Sequence, residues 1–229
     1  MGEFMEERII DLIGIDNYEK LAKQNILIIG LGGVGGYAFE ALLRSGIRHM
    51  TFVDFDHFEK SNLNHQIYAL QQTIGQKKCQ VALQRATDIN PEAQIKIIEE
   101  KWTAASITNE LLKDYDYIID ACDDVSVKIA LIKTCGTLKK NLISCMGTAN
   151  RTHPELLTIT SLDKTMNDPL AKKIRTTLKN TSLLKTKVVW SREVPKKQKK
   201  LGTICSVPMS AGSLLASFII DDIIKNNCK

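Results

Sequence analysis

The chain has 229 residues, 44% of them hydrophobic and 25% charged, a globular profile with enough apolar content for a sizeable core. The 13 glycines and 5 prolines exclude a collagen-like or linker-like chain. No apolar run approaches the roughly 18 residues of a membrane span, and no signal peptide opens the chain. The net charge of +5 divides unevenly: residues 164–200 hold 12 basic and 2 acidic residues, the remainder 19 basic and 24 acidic. A mildly acidic body bearing one basic stretch predicts a polyanionic partner.

The elements alternate in a regular order. Asn25–Gly30 is a β-branched apolar run ended by glycine, a strand buried on both faces. Tyr37–Ser45 reads as a helix closed by Gly46, and Met50–Val53 as a second strand running into Asp54-Phe55-Asp56. A helix over Lys77–Asn90, with Ala82, Leu83, Ala86 and Ile89 on one face, is stopped by Pro91. A strand at Ile95–Ile98, a helix around Ile107–Leu112 and a strand at Tyr117–Asp120 come next. A helix over Val125–Leu138 and a strand at Leu142–Cys145 complete the repeat. This alternation predicts an α/β domain with a doubly wound, mostly parallel sheet over about residues 20–150.

Past Gly147 the rhythm changes, and residues 151–229 read as a C-terminal extension sharing the same core. Leu156–Thr160 and Lys187–Ser191 suit antiparallel strands, Asp168-Pro169 opens a helix, Pro195–Lys200 is a polar loop, and Ala211–Lys225 is a docked terminal helix. Asp221 and Asp222 make that helix too charged, and its length too short, for a membrane. The six cysteines, at 79, 122, 135, 145, 205 and 228, form no C-x-x-C pair, which argues against a four-cysteine zinc site. Several sit in apolar stretches, as buried thiols do in a reduced compartment such as the cytoplasm.

The chemistry concentrates in five motifs. Gly30, Gly32, Gly33 and Gly35 satisfy G-x-G-x-x-G between a strand and a helix, where the backbone must turn tightly and bring amide hydrogens to a phosphate. Asp54, about 20 residues on at a strand end, suits a ribose. Then come Asn62-Leu-Asn-His65-Gln66, Gly75-Gln-Lys-Lys78 and Asp120-Ala-Cys-Asp123-Asp124. Amides, a lysine and a strand-terminal carboxylate exceed what hydride transfer needs, and suit a nucleoside triphosphate with Mg²⁺ on Asp123.

The series GLGGVGG, DFD, SNLNHQ, GQKK and DACDDV resembles the signature of the E1-like adenylating enzymes, over nearly the whole chain. The resemblance implies a Rossmann-like fold, usually a homodimer, that activates a carboxylate with ATP and releases pyrophosphate. It places Gly30, Gly32, Gly33 and Gly35 along the ATP phosphates, Asp54 on the ribose, Asn62 and Lys78 on phosphates, and Asp123 on Mg²⁺. Asp56 and Gln66 fall in the same nucleotide-binding motifs, and Arg8, six residues before Gly14, matches an arginine that reaches ATP across the dimer. The segments TITSLDKT (158–165) and NDPLAKKIR (167–175), with Ile89-Asn-Pro-Glu92, resemble the tRNA threonylcarbamoyladenosine dehydratases. That family implies ATP-dependent cyclisation of N6-threonylcarbamoyladenosine at tRNA position 37, without an enzyme nucleophile, and leaves room for a sulfurtransferase-type partner.

The basic stretch then has an RNA backbone to neutralise. Lys172, Lys173, Arg175 and Lys179 share a broad helical face, and Lys196, Lys197, Lys199 and Lys200 sit in the polar loop. Trp190 and Tyr37 are candidates for base stacking, the tryptophan with a competing reading as core. One residue departs from the superfamily pattern: His65 stands where N-x-x-R-Q has arginine. Losing one charge-matched donor commonly costs about 10²–10³ in rate. A reading as an ATP- or tRNA-binding pseudoenzyme therefore stands beside the dehydratase, as does an adenylyltransferase of a ubiquitin-like sulfur-carrier protein. Residues 150–155 (NRTHPE) also depart from the acidic-Pro-Thr pattern of the family.

Overall fold

The computed structural model describes residues 6–225; Cys228 lies outside them. Seven strands form one sheet in the order β3-β2-β1-β4-β5-β7-β6. They are β1 (Asn25–Ile29), β2 (His49–Val53), β3 (Gln94–Ile98), β4 (Tyr117–Asp120), β5 (Asn141–Cys145), β6 (Leu157–Ser161) and β7 (Lys187–Ser191). All neighbours run parallel except β6, which pairs antiparallel with β7. The two C-terminal strands form the antiparallel pair expected of them. β7 continues the parallel sheet on β5, with Ile143 opposite Lys187, and only the edge strand reverses.

The apolar run of β1 divides by the strand's two-residue period. Ile26 and Ile28 enter one core with Phe39, Phe52 and Leu215; Leu27 and Ile29 enter the other with Val127, Leu131 and Ile174. Helices α3 (Gly35–Arg44), α4 (Lys78–Ile89) and α8 (Ser206–Lys225) supply the first face. On the opposite face lie α5 (Asn109–Leu112), α6 (Val125–Leu138) and α7 (Pro169–Thr177). Phe39 and Phe52 meet edge to face with centroids 4.4 Å apart.

Two helices come unannounced: α1 (Glu7–Ile13) and α2 (Ile15–Lys23), separated by Gly14 at φ 80°. α1 buries none of its residues, so no amphipathic stripe marks it in the sequence. α5 is shorter than the 107–112 expectation because Thr108 caps it, its side chain accepting from the Leu111 amide at 3.2 Å. α8 begins five residues before Ala211. Its 20 residues are long and apolar enough to cross a membrane by length and composition alone. Val207, Ala211, Leu215, Ile219 and Ile223 are buried in the core instead. A Cβ on Gly212 would lie 2.5 Å from the Val34 carbonyl oxygen, so glycine there lets α8 close on the start of α3.

Candidate active site

The strand order reverses direction between β1 and β4, which opens a crevice at their carboxyl ends. Gly30 follows β1 at φ 92°, and a Cβ there would meet the Ala121 carbonyl oxygen, after β4, at 2.8 Å. Gly35 is more confined: its Cβ would sit 1.8 Å from the Gly30 oxygen. At Gly32 the nearest atom to such a Cβ is Gln66 Nε2, 3.9 Å away, so one side of the loop is open. The α3 N-terminus that the loop feeds has no side-chain cap and no acidic residue in its first turn. Its leading N–H groups are therefore available to an anion.

Asp54 fixes this loop. Its Oδ2 accepts from the Leu31 amide at 2.7 Å and Oδ1 from the Asp56 amide at 2.8 Å, and a lone pair remains on each oxygen. Asp56 Oδ2 is 3.0 Å from the ammonium of Lys78, whose side chain is buried at the first position of α4. A cation is disfavoured by the dipole at that helix position, so Asp56 compensates it locally. Phe55, Asp56, His57, Glu59, Asn62 and Lys78 line a pocket of about 370 Å³. The Asn62 Oδ1 accepts from the Glu59 amide at 3.0 Å. Gln66 is buried beside the loop and its Oε1 has no hydrogen-bond partner, an orphan that a bound polar ligand would satisfy.

His65 packs on the same loop: a Cβ on Gly33 would fall 2.7 Å from its Cδ2. Burial and then the nearby Lys78 hold the imidazole below its usual pKa, so the ring is neutral at pH 7. Asp123 is exposed past β4 and, among the described residues, has no hydrogen-bond or ion-pair partner. One free carboxylate beside phosphate oxygens fits the way Mg²⁺ is commonly held. No group of three or more His, Cys, Asp or Glu suited to a metal occurs among the described residues. Burial pushes the thiols of Cys79, Cys135 and Cys145 up to about 12 and raises that of Cys122, leaving these four protonated and poor nucleophiles at neutral pH.

Arg8 is not brought to this crevice. Its helix starts where Glu6 pairs with Arg48 at 3.5 Å, at the entry end of β2 and so on the opposite edge of the sheet. On the basic stretch, Lys172 and Lys173 are exposed on the side of α7 away from Ala171 and Ile174, whereas Lys179, also exposed, lies in the turn past the end of α7 and does not share that helical face. Arg175 is half-buried with its guanidinium on the Thr165 hydroxyl. Lys196, Lys197, Lys199 and Lys200 are exposed in a loop clamped at both ends: Lys196 N donates to Asn150 O, and Asn150 exchanges two bonds with Gly202. Trp190 is core, its Nε1 donating to the Met166 carbonyl at 2.9 Å. Tyr37 is half-buried, its OH 3.0 Å from Cys205 Sγ.

Two buried ion pairs are not legible in the motifs, although their carboxylates, Asp120 and Asp168, are. Lys128 and Asp120 are both fully buried and 3.0 Å apart, and the ammonium also donates to Ser144 Oγ and the Cys145 carbonyl. The signal was there: a lone lysine on the buried stripe of α6 among Val127, Leu131 and Ile132. Arg151 pairs with Asp168 at 3.2 Å, while Asp168 also caps α7 and accepts from Gly147 N. This joins α7 to the loop leaving β5, at the same end of the strands as the glycine loop.

A glycine loop at a topological switch point, an adjoining lysine and a free carboxylate define a nucleotide-handling α/β enzyme. The chain belongs to the ThiF family, whose model matches residues 5–227. It is 35% identical, over 93% of its length and 92% of the relative's, to the tRNA threonylcarbamoyladenosine dehydratase of Bacillus subtilis. The Escherichia coli protein of that name is 34% identical over 87% of this chain and 78% of its own. The crystal structure of the E. coli dehydratase in complex with ATP superposes with a TM-score of 0.91 at 31% identity, covering 96% of this chain and 94% of that one.

Proposed function

We propose that this chain is an ATP-dependent tRNA threonylcarbamoyladenosine dehydratase. The observation that carries the reading is that the nucleotide crevice, the start of α7 with Lys172 and Lys173, and the 196–200 lysine loop lie at the same end of the strands: Asp168 and Asn150 anchor them just past β5. The likeness to relatives of that name along nearly the full chain supports it.

A threonyl carboxylate oxygen attacks the α-phosphorus of ATP and pyrophosphate leaves. A carbamoyl nitrogen then attacks the activated acyl carbon, closing a five-membered ring and expelling AMP with the carboxylate oxygen. The glycine loop and the open α3 N-terminus hold phosphate, Asp54 has lone pairs for the ribose, and Gln66 Oε1 gains a partner. Lys78, released from Asp56, offsets charge on the departing pyrophosphate. Bound Mg²⁺ supplies further charge neutralisation, with Asp123 as the protein's carboxylate. Asn62 lines the pocket beside Lys78. Arg8, on the far edge, serves a second copy's site in a homodimer, whose interface includes the exposed Leu12 and Ile15 of the same helical pair. The reading places the enzyme in the cytoplasm with its tRNA.

AMP release should depend on both ATP and threonylcarbamoylated tRNA, and unmodified tRNA or a ubiquitin-like protein should not replace the latter. Turnover with the carrier protein alone would overturn the reading. Replacing Lys172 and Lys173 by glutamine should weaken tRNA binding by a similar factor across tRNA sequences. It should also reduce the slope of log affinity against log salt by about 1–2. An unchanged slope in filter binding would remove α7 from the interface.

A further inference from the structure

His65 is where this chain departs from the arginine of its superfamily, and its surroundings fix which nitrogen carries the proton. The Asn64 Nδ2 donates to the Thr203 carbonyl at 3.1 Å. A carbonyl only accepts, so the amide cannot be turned round, and Asn64 Oδ1 is the atom that faces His65 Nδ1 at 2.6 Å. Nδ1 therefore carries hydrogen in the neutral ring, and Nε2 carries a lone pair. Cδ2, the carbon bonded to Nε2, lies against the glycine loop at Gly33. A phosphate oxygen arriving there meets a lone pair, two acceptors with no hydrogen between them.

We propose that binding of the ATP triphosphate is coupled to uptake of one proton at His65 Nε2. This turns the ring into the cationic donor that arginine provides in other members of the superfamily. No atom is lost in the step: a proton moves from solvent buffer to Nε2, which then donates to a phosphate oxygen. Around the ring, Lys78 at the start of α4 is the charged group, paired with Asp56; Gly33 of the glycine loop and Asn64, on Nδ1, do not titrate. Lys78 and burial keep the ring neutral before the nucleotide arrives, and the triphosphate's charge outweighs both.

The inference rests on the reading of the crevice as an ATP site, and calorimetry of Mg·ATP binding without tRNA separates the two. Titrations at about pH 7.5 in buffers of different ionisation enthalpy give the number of protons taken up. The wild-type chain should take up more than His65→Gln and His65→Arg, by a fraction approaching one proton. Since binding takes up a proton, affinity must fall as pH rises, up to about tenfold per pH unit in wild type relative to His65→Arg. Equal proton uptake in all three proteins, with ATP bound by each, would overturn the proposal and leave the ATP site standing. No binding of ATP to the wild-type chain would overturn both.

Discussion

Replacing Lys78 by methionine should lower the rate of tRNA-dependent pyrophosphate release by about 10²–10³, the usual cost of removing one charge-matched donor from a transition state that gains charge. The side chain is nearly buried at the start of α4 and faces a single carboxylate, Asp56. Methionine keeps much of the stem's volume and packing, so the fold should persist. The loss should fall on kcat rather than only on KM for ATP, because the charge on the bridging oxygen grows as pyrophosphate departs. Asp56→Asn offers the contrast: it frees the ammonium without removing it, and should cost far less. Steady-state kinetics at saturating tRNA check both, and a Lys78→Met enzyme within about threefold of wild type would remove that residue from the phosphate site.

The second large effect concerns stability. Lys128→Met should destabilise the chain by about 3–5 kcal/mol, since it leaves the Asp120 carboxylate buried without its counter-ion. Ser144 Oγ at 2.6 Å, the Cys122 amide at 3.3 Å and the weakly donating Cys122 thiol at 3.1 Å would remain, too little for a full charge. Burial alone would pull the ammonium's pKa down, but the Asp120 carboxylate outweighs it and the net shift is upward. A lysine with a raised folded pKa contributes stability below its unfolded pKa and loses it as pH rises through the folded value, so the pair is intact across the neutral range. The double variant Lys128→Met, Asp120→Leu should recover most of the loss, because buried ion pairs are often replaceable by apolar ones. Urea denaturation measures this, and a single variant within about 1 kcal/mol of wild type would show that Asp120 is compensated elsewhere. The same pair holds the turn at Ala121, against which Gly30 packs, so loosening it should also weaken ATP binding.

What was legible in the sequence follows from which interactions are local. The β1 run, the glycine loop and Pro91 are written in consecutive residues, and the strands and most helices follow from them within a few positions. Asp54 was legible as a ribose ligand but not as the brace of the glycine loop, because its partner, Leu31 N, is a backbone atom with no side-chain signature. α1 has no buried stripe to mark it, and α2 buries only Tyr18 and Leu21, too few to set a period. Arg175 shares helical spacing with the exposed lysines, yet a contact with Thr165, ten residues away, takes its guanidinium partly out of solvent. Asn64 and Asn150 lie in segments already noted, but their work, tethering Thr203 and Gly202, depends on where a distant loop returns.

The most direct test of the dehydratase reading is mass spectrometry of nucleosides from threonylcarbamoylated tRNA incubated with the enzyme, ATP and Mg²⁺. The account predicts that the modified nucleoside loses the mass of one water, with one AMP formed per nucleoside converted. An unchanged nucleoside, under conditions where the chain binds both ATP and the tRNA, would contradict it.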